Sequence, residues 1–219
     1  MIKIKDKYKK YYLQNKVELV YRTGILEGLA TSRLETEEII KKGRSLDASY
    51  KDTQIVINIY NTWQKMMREE YQGDNKKVIE DMNRDIKRGM DDSDLTGKIR
   101  THNVKISDTT YRPPSYRKYN LEELMMKLFK VMDVNTEDAF LYVYIHLMRT
   151  QFFVDGNKRT AYMFTNWKLM TTDMGSILYL PSEKSEREYL RRLGELYENP
   201  KEKEYEFIKY LRQYYLKKV

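Results

Sequence analysis

The chain has no cysteine in its 219 residues. Disulfide staples and thiolate-ligated metal centres are therefore excluded. Glycine and proline are scarce, at 9 and 4 residues, which leaves few interruptions to helical spacing. No apolar run approaches the ~18 residues of a membrane span. The opening Met1–Tyr8 lacks the apolar centre of a secretory signal. The expectation is a cytoplasmic chain with no membrane partner. What is present is 41% hydrophobic residues, enough for one substantial core. The net charge is +8, but the cations interleave with 33 acids along helical segments. With no nucleic-acid motif in the sequence, that pattern is expected to be solvated helix faces and not a nucleic-acid surface. The 20 tyrosines fit core and snorkelling positions on helices.

Apolar spacing at three and four predicts a mostly α fold. Val17, Val20, Tyr21 and Ile25 mark an N-terminal helix to about Ala30, and Thr36 opens a second. Further helices are expected at 52–71, 76–90, 121–132, 136–150, 159–174, 185–197 and 202–218. The 136–150 helix is apolar on nearly every face, which predicts a buried central element. Only Gly97–Tyr111 breaks the period. Ile99/Thr101 and Val104/Ile106 alternate around His102-Asn103, which predicts a short β-hairpin, closed off by Pro113-Pro114.

Between two apolar segments lies Gln151-Phe-Phe-Val-Asp155-Gly156-Asn157-Lys158-Arg159. A glycine and asparagine turn leading into a helix gathers free backbone N–H groups, and two cations add fixed positive charge. Asp155 offers oxygen to a hard cation such as Mg²⁺. The local reading is a polyphosphate and metal cradle.

The run resembles the signature loop of the Fic/Doc family, H-x-F-x-D/E-G/A-N-G/K-R, at every position except the first. The resemblance extends over roughly Val20–Tyr215. Gly97-x-Ile99-Arg100-Thr101-x-Asn-Val104 resembles that family's hairpin flap, which aligns a target segment by strand pairing. Thr23-x-x-x-Glu27-Gly28 resembles its inhibitory helix motif. The resemblance implies a Fic-type helical domain with a flap at about 97–112, residues 1–45 forming N-terminal helices with the inhibitory motif and 46–219 the core. It implies ATP-dependent transfer of AMP to a hydroxyl of a target protein. Asp155 would hold Mg²⁺. Gly156, Asn157, Lys158 and Arg159 would bind the nucleotide, and Arg159 would neutralise developing charge. The oligomeric state is left open, with a homo-oligomer among the options.

Three departures bear on the activity. Gln151 stands where the family has its catalytic histidine, and an amide has no usable basicity near neutral pH. The loss of general-base help is worth ~10²–10⁴-fold. His146 does not substitute: five residues back on a helix it turns about 140° away. Lys158 gives the N-K-R of the Doc-type branch, which transfers phosphate. Tyr162 replaces the second arginine, the usual partner of the inhibitory glutamate, so Glu27 would have to meet Arg159 or Lys158. An impaired AMP transferase is expected first, with a Doc-like phosphotransferase or a nucleotide-binding pseudoenzyme as alternatives.

Overall fold

A computed structural model describes residues 1–26, 28–90, 93–107, 109–180 and 183–219, with backbone only for Ser93, Glu183 and Lys184. The helices run α1 Asp6–Ile25, α2 Arg33–Lys42, α3 Tyr50–Met67, α4 Asn75–Ile86, α5 Leu121–Val131, α6 Glu137–Thr150, α7 Asn157–Thr171, α8 Glu183–Glu198 and α9 Pro200–Tyr214. Two short strands, β1 Ser176–Leu178 and β2 Leu216–Lys218, pair antiparallel with Ile177 opposite Lys217. Among the described residues, no helix is long and apolar enough to cross a membrane.

Polar side chains set where these helices start. The hydroxyl of Ser32 accepts from Glu35 N–H while the Glu35 carboxylate accepts from Ser32 N–H. This reciprocal cap moves the start of α2 upstream of the expected Thr36, whose own hydroxyl donates back to Ser32 O. Thr136 caps α6 by accepting from Ala139 N–H at 3.2 Å, with Glu137 and Asp138 in the first turn, as the sequence predicts. α3 stops at Met67, short of Tyr71, because Glu69 takes a positive φ of 61°.

α7 is the central rod. Twelve of its fifteen residues are buried, so neighbours wrap it on every side. It packs against α6, α4, α1 and β1. α1 shares one core with the rest along its length: Tyr8, Tyr12, Leu19 and Val20 join Trp63, Phe164 and Leu178 in a single cluster.

The strands lie elsewhere than the sequence suggests. Among the described residues, 97–112 form no ladder, while the last residues, expected to continue a helix to 218, leave α9 at Tyr214 and pair with β1. A two-residue hairpin tip needs positive φ, and neither His102 nor Asn103 adopts it. β1 is also held to α7 from below. Asn166 accepts from Leu178 N–H at 2.9 Å and donates to Leu178 O at 3.1 Å, all of it buried. Asn166→Ala strands both groups. It should cost about 2–4 kcal/mol, measured as a lower denaturant midpoint at unchanged m-value.

Candidate nucleotide site

α6 and α7 are joined by six residues that must reverse the chain inside the core. The reversal begins at Gln151, with φ 53° and ψ 65°, whose N–H still reaches Leu147 O at 3.3 Å. Phe152 and Phe153 turn inward, at 1% and 2% exposed. It ends at Gly156, with φ 74°, a conformation that glycine adopts at no steric cost.

Buried backbone groups in such a turn need partners. Asn157 supplies one set. Its Oδ1 accepts from Phe153 N–H at 2.9 Å, and its Nδ2 donates to Phe153 O at 2.8 Å and to Gln151 Oε1 at 2.9 Å. Gln151 Nε2 in turn donates to Met148 O at 2.5 Å. The amide at the position of the family's histidine is thus tied at both ends into the turn. Arg100 supplies the other set. It is 3% exposed and donates through Nε to Gln151 O at 2.6 Å and through Nη2 to Pro114 O at 2.6 Å and Thr150 O at 3.4 Å. Its backbone N–H donates to Phe152 O at 2.9 Å. The sequence places Arg100 on a target-aligning flap; its side chain instead pins the carbonyls at the end of α6, where a cation suits the helix dipole.

The first turn of α7 has no side-chain cap on Gly156. It borders a cleft of about 500 Å³, lined by Gln151, Asp155, Gly156, Asn157 and Lys158 of the loop, Leu26 and Gly28 just after α1, Lys105 and Ile106 of the flap segment, and Leu190 and Tyr197 of α8. That volume suits a small-molecule ligand. Arg159 points away from the opening: it is 3% exposed, with Nη2 3.9 Å from Asp155 Oδ1. Asp155 is half exposed. Its Oδ2 meets the Lys87 ammonium, its Oδ1 accepts from Gly156 N–H at 2.6 Å, and its carbonyl accepts from Asn83 Nδ2 at 3.0 Å. Burial raises the Asp155 carboxyl, but Lys87, Arg159 and the Gly156 N–H outweigh it, and the pKa lies below the usual value.

α4 thus does work that its sequence does not announce. Asn83, one turn before Lys87, also donates to Thr160 Oγ1 at 3.0 Å and accepts from Gly97 N–H at 2.9 Å. A Cβ on Gly97 would sit 2.6 Å from Glu80 O, so this contact requires glycine.

In the flap segment Ile99 is half-buried against the core, Val104 is half-buried as well and Thr101 is exposed. The far arm is latched to the end of α8. Glu198 accepts from the Thr109 hydroxyl, from Thr110 N–H at 2.7 Å and Oγ1 at 2.6 Å, and from Tyr111 N–H at 3.1 Å. Tyr111 stacks on Tyr197 and lies 4.0 Å beneath the Arg149 guanidinium. Of the inhibitory motif, Thr23 is buried with its hydroxyl donating to Leu19 O, and Gly28 lines the cleft; Glu27 lies outside the described residues. Tyr162, at the second-arginine position, is fully buried edge-on to Trp63. His146 pairs with Glu204 at 2.7 Å and packs its ring at a tilt against Tyr142, a packing role, while burial lowers its pKa.

The latch generates a pH prediction. The Thr109 hydroxyl, then Thr110, hold the Glu198 carboxyl down to about 2 from 4.5. Its folded pKa lies below its unfolded one, so its contribution is present above about 4.5 and is lost as pH falls toward about 2. Amide exchange at Thr110 and Tyr111, relative to intrinsic rates, should accelerate through that window. At neutral pH, Glu198→Gln should reproduce the acceleration.

Solved structures share this architecture. A Fic domain containing signaling protein from Bacteroides thetaiotaomicron is similar with a TM-score of 0.69 and 18% identity, over 87% of this chain and 75% of that one. A Fic family protein from Desulfovibrio desulfuricans gives 0.68 and 18%, over 85% and 58%. Fic-1 from C. elegans gives 0.67 and 20%, over 82% and 55%. The chain therefore spans little more than half of the last two. A search of curated proteins finds no match. The model of the Fic/DOC family matches residues 74–169, the stretch from the cap of α4 to α7 that builds the cleft. Over that stretch this chain is similar to the Fic/DOC family, and its fold is that of Fic domain proteins.

Proposed function

We propose that the chain binds a nucleotide by its phosphates in the cleft, and that it is an ATP-dependent protein AMP transferase slowed by its missing base. The observation that carries this reading is a cleft of ligand size lined by Gly156, Asn157 and Lys158, where the loop meets the positive end of α7. In the transfer, the hydroxyl oxygen of a target side chain bonds to the α-phosphorus of ATP. The bond to pyrophosphate breaks and the hydroxyl proton must leave. The α7 amides and Lys158 would hold the phosphates and neutralise charge, which is most of what such a reaction needs. The proton is the weak step. Gln151 stands where a base would take it, and its amide has no basicity to offer.

A divalent ion, which the family resemblance implies, would supply further charge neutralisation at the phosphates. Asp155 as it stands does not fit one. Both carboxylate oxygens already have donors, and two cations face it.

Titration calorimetry should detect ADP or ATP binding to the intact chain; none with either would defeat the reading. In a lysate with labelled ATP, transfer should be near background and should rise ~10²–10⁴-fold in Gln151→His. Histidine tolerates the positive φ found at 151. Equal transfer by both chains would remove position 151 from the mechanism.

The end of α1 supports a regulatory reading, because Leu26 and Gly28 line the cleft on either side of Glu27 in sequence. Removing a negative charge from this segment favours a phosphate ligand. Glu27→Gly should tighten ATP binding severalfold, and unchanged affinity would leave α1 a structural element.

A further inference from the structure

Lys87 is the one lysine among the described residues that is buried, at 8% exposed. Its stem runs beneath the loop: a Cβ on Gly156 would meet Lys87 Cγ and Cδ at 3.5 and 3.6 Å. Its ammonium ends on Asp155 Oδ2. It follows directly on α4, where the carbonyl end of the helix favours a cation. The other Asp155 oxygen has the Gly156 N–H, with Arg159 at 3.9 Å.

A magnesium ion would need a carboxylate oxygen at about 2.1 Å. Placed on Asp155, it would face the Lys87 ammonium directly. Displacing that ammonium would leave a buried charge without its partner, the costly way to break such a pair. We propose that Lys87 replaces the divalent metal at Asp155. It is a positioning residue: it neutralises the carboxylate from beneath, and the α7 amides and Lys158 then bind phosphate without a metal. The inference rests on the nucleotide reading above and specifies how that site is charged.

The test is calorimetric titration of ADP into the intact chain, in Mg²⁺ and in EDTA. Affinity should agree between the two buffers within about threefold. In Lys87→Met the bared carboxylate should weaken ADP about tenfold or more in EDTA, with recovery on adding Mg²⁺. A merely structural lysine would weaken both conditions alike, and that result would overturn its assignment. ADP bound by the unaltered chain only with Mg²⁺ would overturn this proposal and leave the nucleotide reading standing. No binding in either buffer would overturn both. Should the variant fail to fold, the comparison on the unaltered chain decides alone.

Discussion

Two buried helices have to be joined by a sharp turn deep in the protein, and every backbone polar group in that turn must find a partner away from water. The site follows from how this constraint is met. The Asn157 side chain acts as a substitute peptide for Phe153, taking its N–H and giving to its carbonyl. Arg100 arrives from a distant segment and collects the carbonyls that α6 leaves open. With the turn satisfied internally, Gly156, Asn157 and Lys158 at the start of α7 line the cleft. Polar residues in the loop therefore divide into those that hold its shape and those that face the cleft. Asn157 and Gln151 belong by their side chains to the first group, Lys158 to the second.

Charge is arranged in layers around the same turn. Beneath it, Lys87 and Arg159 are buried and share one carboxylate. Above it, Lys158 and Lys105 border the open cleft. A half-exposed Asp155 between two buried cations is electrically quiet, which suits a site meant to attract an anion. The flap segment is fastened at both arms, to Phe152 O on one side and Glu198 on the other.

The parts legible in the sequence were local ones. Buried α6, its Thr136 cap and the Asp155–Arg159 loop are each encoded in one short contiguous stretch, so periodicity and composition suffice. The unread parts depend on distance. Lys87 is one of 41 cations, and nothing in its neighbourhood says that it ends on a carboxylate 68 residues away. Arg100 reads as a flap residue because its burial comes from α6 and the loop. Alternation at 99–106 imitates a strand, but the tip residues do not take the backbone angles that would fold it back. β2 was hidden for the opposite reason: three residues are too few to show a period, and they follow a strongly helical segment.

The turn after α7 gathers more than the strand it feeds. Asp173 meets Lys5 and Lys7, Gly175 donates its N–H to Tyr8, and Val219 donates its own to Gly175 O. Residues separated by more than 200 positions thus converge on one short segment. Contacts of such sequence separation carry a large closure entropy and form late, whereas the α6–α7 pair closes over a few residues and can form early. The order of assembly implied is a cleft-bearing helical pair made first and tightened last. Its final ordering then waits on residues from both extremes of the chain.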